Sequence, residues 1–145
     1  MEEAAFKAIR FLFIDDDEIS IMGLKRSMQQ LKLSNPVDVA RDGVQALEIL
    51  RAAVNANGEL PPFITTLDLS MPRMGGLEFL EELRRDPVLK KTVVFVVTTS
   101  DSPEDIESAY GQNVAGYIVK ENPTETLRDA LSMLKEYSQL VVLST

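Results

Sequence analysis

Four positions along the chain place ionisable or hydroxylic residues directly after short, apolar, β-rich runs. Asp15-Asp16-Asp17-Glu18 follows Phe11-Leu12-Phe13-Ile14, and Asp68 follows Ile64-Thr65-Thr66-Leu67. Thr98-Thr99-Ser100 follows Val93-Val94-Phe95-Val96-Val97, and Lys120 closes Tyr117-Ile118-Val119. Brought together, they supply at least three carboxylates, two hydroxyls and a lysine. Carboxylates crowded within a few ångströms repel, and each is driven toward its neutral form unless a cation compensates. With only oxygen ligands on offer, Mg²⁺ fits better than zinc, because it accepts one or two carboxylates plus carbonyl and water and leaves room for phosphate oxygens. Lys120 then offers a mobile point charge for phosphate, and Thr98 a hydroxyl donor. Asp68 is a candidate nucleophile that forms an acyl phosphate, with the metal screening its charge from that of the incoming phosphoryl group.

Each residue also has a plainer reading. An acidic run after a strand serves equally as a solvated turn and helix cap. Thr98 and Thr99 suit a strand as β-branched residues, Tyr117 suits half-buried sheet packing with a wet tip, and a single lysine suits a solvated end. Asp68 is harder to explain structurally, since strands deplete Asp. The argument for chemistry rests on the joint placement at strand ends.

Composition removes competing chemistries. The 145-residue chain contains neither Cys nor His. Disulfides, thiol nucleophiles, Cys/His zinc sites, Ser-His-Asp triads and imidazole acid–base catalysis are therefore excluded. Fifteen Lys and Arg against 23 Asp and Glu give a formal net charge of −8, which argues against a nucleic-acid partner. The longest apolar run, Val93 to Val97, is far below the roughly 20 residues that span a bilayer. The start Met1-Glu2-Glu3 lacks the basic residues of a signal peptide. A cytoplasmic protein without a membrane partner is the expectation.

The elements that must position these groups alternate in type. Strands are expected at Ile9 to Ile14, Val37 to Arg41, Phe63 to Leu67, Val93 to Thr98 and Ala115 to Val119, each followed by a helical pattern. The helices are marked by Ile21, Leu24, Met28 and Leu31, then Leu47, Leu50 and Val54, then Leu77, Leu80 and Leu83. Ser102-Pro103-Glu104-Asp105 and Asn122-Pro123-Thr124-Glu125 pair a capping side chain with Pro at the first helical position, and Leu127, Ala130, Leu131 and Leu134 follow on one face. Strict alternation demands crossover connections, hence a doubly wound α/β domain with a five-stranded parallel sheet. Such sheets work in the crevice beyond the carboxyl ends of their strands. Asn55 to Pro62 reads as a surface connection, and the apolar tail Leu140 to Thr145 suits the end of a helix, core packing or contact with a partner chain.

On these residues the sequence resembles the receiver domains of two-component response regulators, from about Ile9 to Leu134. The resemblance implies the flavodoxin-like receiver fold, strand order 2-1-3-4-5, in a single domain over residues 1–145 with no output domain. Asp15 and Asp16 then match the metal-site acids, and Asp68, in Leu67-Asp68-Leu69-Ser70-Met71-Pro72 before Gly75-Gly76, matches the phosphorylated aspartate. Thr98 matches the switch hydroxyl, Tyr117 the switch aromatic and Lys120 the phosphate-contacting lysine. The family ligates metal through the backbone carbonyl two residues after the aspartate, here Ser70. The connection before the third strand, Arg84-Arg85-Asp86-Pro87 and Thr98-Thr99-Ser100-Asp101 are similar to the stand-alone regulators serving phytochrome-like histidine kinases. The family usually has Pro directly after the lysine, joined by a cis peptide, whereas Glu121-Asn122-Pro123 follows here.

The resemblance implies a phosphoacceptor without enzymatic turnover of its own. A sensor histidine kinase or phosphotransfer protein supplies the phosphoryl group, Mg²⁺ sits on the acids and the Ser70 carbonyl, and the fourth helix, fifth strand and fifth helix present the altered surface to a partner or a second copy of the chain. A Mg²⁺-dependent phosphohydrolase with an aspartyl-phosphate intermediate is an alternative, but it needs an acid where Ser70 stands. A receiver-like binding module that is never phosphorylated is another, and a nucleotide-binding domain lacks its Gly-rich loop.

Overall fold

In the computed structural model, which describes residues 9–141 and residue 143, five parallel strands lie in the order β2-β1-β3-β4-β5. The elements run β1 (Arg10–Ile14), α1 (Glu18–Gln30), β2 (Val37–Ala40), α2 (Gly43–Asn57), β3 (Phe63–Leu67), α3 (Gly76–Arg85), a 3₁₀ turn (Leu89–Lys91), β4 (Val93–Thr98), α4 (Pro103–Gly111), β5 (Gly116–Val119) and α5 (Pro123–Leu140). The expected fold and strand order are present. Ile9, Arg41 and Ala115 fall just outside the strands expected to contain them. The connection expected over Asn55 to Pro62 is shorter, because α2 continues to Asn57 and stops at Gly58, whose φ of 78° closes the helix in the left-handed region.

Alternation along the strands divides the core in two. Leu12, Ile14, Phe63, Leu67, Val94 and Val96 face α2, α3 and α4, where Leu50, Phe79, Leu80 and Leu83 are fully buried. Phe11, Phe13, Ile64, Phe95 and Val97 face α1 and α5, against Ile21, Leu24, Met28, Leu127, Leu131 and Leu134. Burying both faces explains the near-continuous apolar strands. Leu143 packs against the second cluster, whereas Leu140 at the helix end is exposed. The remaining tail positions, Val142, Ser144 and Thr145, lie outside the described residues.

The caps fall where the sequence placed them. Ser102 accepts from Asp105 N–H at the start of α4 and Asn122 from Glu125 N–H at the start of α5. Among the described residues each of these five helices follows the carboxyl end of a strand, so their N-terminal dipoles and the strand exits share one edge.

Candidate functional site

Asp15 leaves β1 at the point where the chain separates β2 from β3. Its N–H donates to the Ala40 carbonyl at 3.0 Å, and Asp68 N–H donates to the Ile14 carbonyl at 2.9 Å, so sheet pairing itself sets the two acids side by side. This is the switch in strand order, where a doubly wound sheet opens its crevice. Asp16 stands at the mouth, exposed, while Asp15 and Asp68 are buried. One carboxylate oxygen from each of Asp15, Asp16 and Asp68 lies within 4.8 Å of the others, a set of hard oxygen donors suited to a divalent cation.

The neighbours of each acid differ. Thr98, fully buried at the end of β4, donates its hydroxyl to Asp68 Oδ1 at 2.8 Å. Ser70 N–H lies 3.5 Å from the same oxygen. Lys120 leaves β5 beside Thr98, its N–H donating to the Thr98 carbonyl at 2.7 Å. Its ammonium donates to Asp15 Oδ2 at 3.2 Å and to Ser20 Oγ at 3.3 Å. Both members of the Asp15–Lys120 ion pair have side chains only 6% exposed. Burial holds the Asp15 carboxyl above the ordinary carboxylate range, against the opposing pull of Asp17 N–H and the Lys120 charge.

Two readings of the acidic run prove compatible. Asp15 and Asp16 join the carboxylate cluster, while Asp17 caps α1 by accepting from Ile19 N–H at 3.2 Å. Glu18 points away to pair with Arg41. The loop after Asp68 is held by close approach: a Cβ at Gly76 would lie 2.7 Å from both the Asp68 carbonyl oxygen and Leu69 Cα, so only glycine fits. Arg73, at φ 61°, ion-pairs with Asp42 at 2.8 Å and ties this loop to the start of α2.

Tyr117 is half-buried, as its plainer reading required, and its hydroxyl donates to the Ser100 carbonyl at 2.9 Å. Burial raises its phenol pKa. Ser100 is anchored in turn by donating to Asp105 Oδ2 at 2.6 Å. No peptide bond among the described residues is cis, so the chain passes Lys120-Glu121 in the ordinary trans form. Sequence reasoning missed Ser20, and it named Arg84 only within Arg84-Arg85-Asp86-Pro87, without its carbonyl partners. A signal for Ser20 existed: it occupies the apolar stripe of α1, one residue before Ile21 and four before Leu24.

The response regulator receiver domain family matches residues 11–132, and the chain belongs to this family. It is 32% identical over 126 residues to the probable methanogenesis regulatory protein FilR2 of Methanothrix harundinacea, covering 87% of this chain and 81% of that protein. It is 26% identical over 124 residues to response regulator Rcp1 of Synechocystis sp., covering 86% and 82%. The crystal structure of the phosphorylated cyanobacterial phytochrome response regulator RcpA superposes with a TM-score of 0.81 at 28% identity, over 94% of this chain and 98% of RcpA. A phytochrome response regulator, the class named by the sequence resemblance, is thus among the proteins it is similar to. None of its helices in the described residues is long and apolar enough to cross a membrane.

Proposed function

We propose that the chain is a phosphorylation switch of a two-component relay, with Asp68 as phosphoacceptor. The observation that carries this reading is the buried Thr98 hydroxyl on Asp68, beside two further carboxylates and a lysine already paired to one of them. A histidine kinase or phosphotransfer protein is the donor, of a phytochrome-linked kind by likeness to the phytochrome response regulator RcpA. The phosphorus–nitrogen bond of its phosphohistidine breaks, a bond forms to an Asp68 carboxylate oxygen, and the freed imidazole takes up a proton. Asp15, Asp16, Asp68 and the Ser70 carbonyl would hold a divalent cation, Mg²⁺ in the cell, which would supply the positive charge that lets anion approach anion.

The residues of the chain do the rest. Thr98 exchanges Asp68 for a phosphoryl oxygen as acceptor, and Lys120 contributes a second contact from its flexible stem. Ser100 lies two residues beyond Thr98, and Tyr117 hangs on the Ser100 carbonyl, so movement of the β4 exit passes to Tyr117 on β5. The α4–β5–α5 surface changes accordingly and binds a partner or a second copy of the chain, a charge event biasing a two-state element. No nucleic acid is required.

The donor must cover the rim to bring its phosphorus to Asp68. Exposed Ile19 and Met22 line a groove of about 390 Å³ between α1 and α5 that also reaches Lys120, an apolar footing for that partner. Incubation with Mg²⁺ and acetyl phosphate followed by intact-mass measurement tests the site. Wild type gains one phosphoryl group and Asp68→Asn gains none. Label in the Asn variant moves the site elsewhere, and sustained turnover of a phosphate ester would make the protein a hydrolase.

A further inference from the structure

Ser20 seats the Lys120 ammonium, a task the phosphoacceptor chemistry does not assign. It lies on the inner face of α1 with Ile21, Leu24 and Met28 and is 4% exposed. Burying a hydroxyl is unfavourable unless both its proton and its lone pairs are used, and alanine would fill this place with nothing to satisfy. Here both are used. The Ser20 hydroxyl donates to Asp17 Oδ2 at 2.9 Å, which turns its lone pairs toward Lys120 Nζ at 3.3 Å. Asp17 is itself fixed, because its other oxygen caps α1 through Ile19 N–H. The second acceptor, Asp15 Oδ2, is fixed likewise, because Asp15 Oδ1 holds the Asp17 N–H at 2.9 Å. Asp15, Asp17 and Ser20 form a closed cradle on the α1 side of the acidic pocket, and among the described residues no hydrogen bond joins Lys120 to Asp68.

We propose that Ser20 is a positioning residue: oriented by Asp17, its hydroxyl holds the Lys120 ammonium against Asp15 in the resting protein and sets how readily that ammonium turns to a phosphoryl group on Asp68. The inference rests on the phosphoacceptor reading of Asp68. Of the two bonds the ammonium makes, that to a neutral hydroxyl is weaker than that to a carboxylate, so it is the one surrendered when Lys120 swings. The seat therefore acts as a brake on phosphorylation.

The test compares Ser20→Ala and Ser20→Thr in the full chain by three measurements: the Lys120 ammonium resonance in ¹⁵N NMR, assigned with Lys120→Arg; the rate of labelling by acetyl phosphate in saturating Mg²⁺; and the thermal midpoint. Ser20→Ala is expected to shift the Lys120 resonance and to speed labelling by roughly two- to tenfold, the factor carried by one hydrogen bond. Ser20→Thr, which keeps a hydroxyl, returns both toward wild type. An unchanged resonance and rate in Ser20→Ala overturns the proposal. So does a Thr variant that behaves like Ala, or labelling that slows in step with a falling midpoint. Wild type that stays unlabelled while a control receiver is labelled refutes the phosphoacceptor reading instead, and the Lys120 resonance then still decides whether Ser20 seats the ammonium.

Discussion

At the amino edge of the sheet one guanidinium is shared among four backbone carbonyls, whereas at the carboxyl edge three carboxylates crowd together and the ammonium beside them pairs with Asp15 alone. Arg84, at the end of α3, donates to the carbonyls of Gln112 at 2.7 Å, Lys90 at 2.7 Å, Thr92 at 2.8 Å and Asn113 at 3.0 Å. It thereby ties the turns that lead into β4 and β5. Each of these four carbonyls has its donor. At the other edge Asp15 has Lys120, Asp68 has the Thr98 hydroxyl and a long contact from Ser70 N–H but no cation, and Asp16 faces solvent. Charge is under-compensated, and repulsion is relieved only by something that arrives. One edge is built to be finished and the other to be completed.

The largest expected effect lies at the finished edge. Arg84→Met leaves the part-buried carbonyls of Gln112 and Thr92 without their charged donor and is expected to cost about 4 kcal/mol in urea denaturation, with labelling of Asp68 unchanged. Arg84→Lys recovers less than half, because an ammonium cannot span the four acceptors. Labelling that fails in a folded Arg84→Met protein would break the separation of the two edges.

Within the site, the sign of the effect depends on which charge is removed. Lys120→Met leaves the buried Asp15 carboxylate without its cation and is expected to destabilise the protein by about 3 kcal/mol. Addition of Mg²⁺ at about a hundred times its dissociation constant should add about 2.7 kcal/mol to wild-type stability. The pH dependence of that gain follows from Asp15. Its folded pKa is raised above the ordinary 3.8, so the stability it contributes is present below that value and lost as pH rises through the raised one. Ionised Asp15 is thus a cost that the cation offsets, and the Mg²⁺-induced shift in thermal midpoint should grow as pH rises through the carboxylate range. Calorimetry with and without Mg²⁺ across that range checks it. Asp68→Asn is the smallest effect: it removes one of three repelling charges, keeps an acceptor for Thr98, and should stabilise the metal-free protein by up to about 1 kcal/mol in the same urea assay. Destabilisation by Asp68→Asn would mean that the cluster is already balanced.

The fold was legible because period and capping agreed. Ser102-Pro103 and Asn122-Pro123 announce helix starts by local chemistry, and the strands are apolar on both faces because both are covered. Asp68 was legible because an acid at the exit of a buried strand has no structural reason to be there. Lys120 was legible as a member of the site, but its resting partners were not. Its ion pair with Asp15 spans 105 residues and its bond to Ser20 spans 100, and no local pattern encodes such distances. Arg84 was hidden for the same reason, since two of its four acceptors lie 28 and 29 residues away and all four are main-chain carbonyls, which leave no mark on side-chain identity. Ser20 was masked by its type, because a serine in a first helical turn reads as capping chemistry.

The bond from Tyr117 to the Ser100 carbonyl has an optical consequence. The chain has no tryptophan and three tyrosines. Tyr110 is exposed, and Tyr137 stacks edge-on to Phe95 with ring centroids 5.3 Å apart, so neither touches the β4 exit. With both replaced by phenylalanine, a single native phenol remains, and its near-ultraviolet emission becomes a label-free record of how the exit of β4 responds when the site is filled.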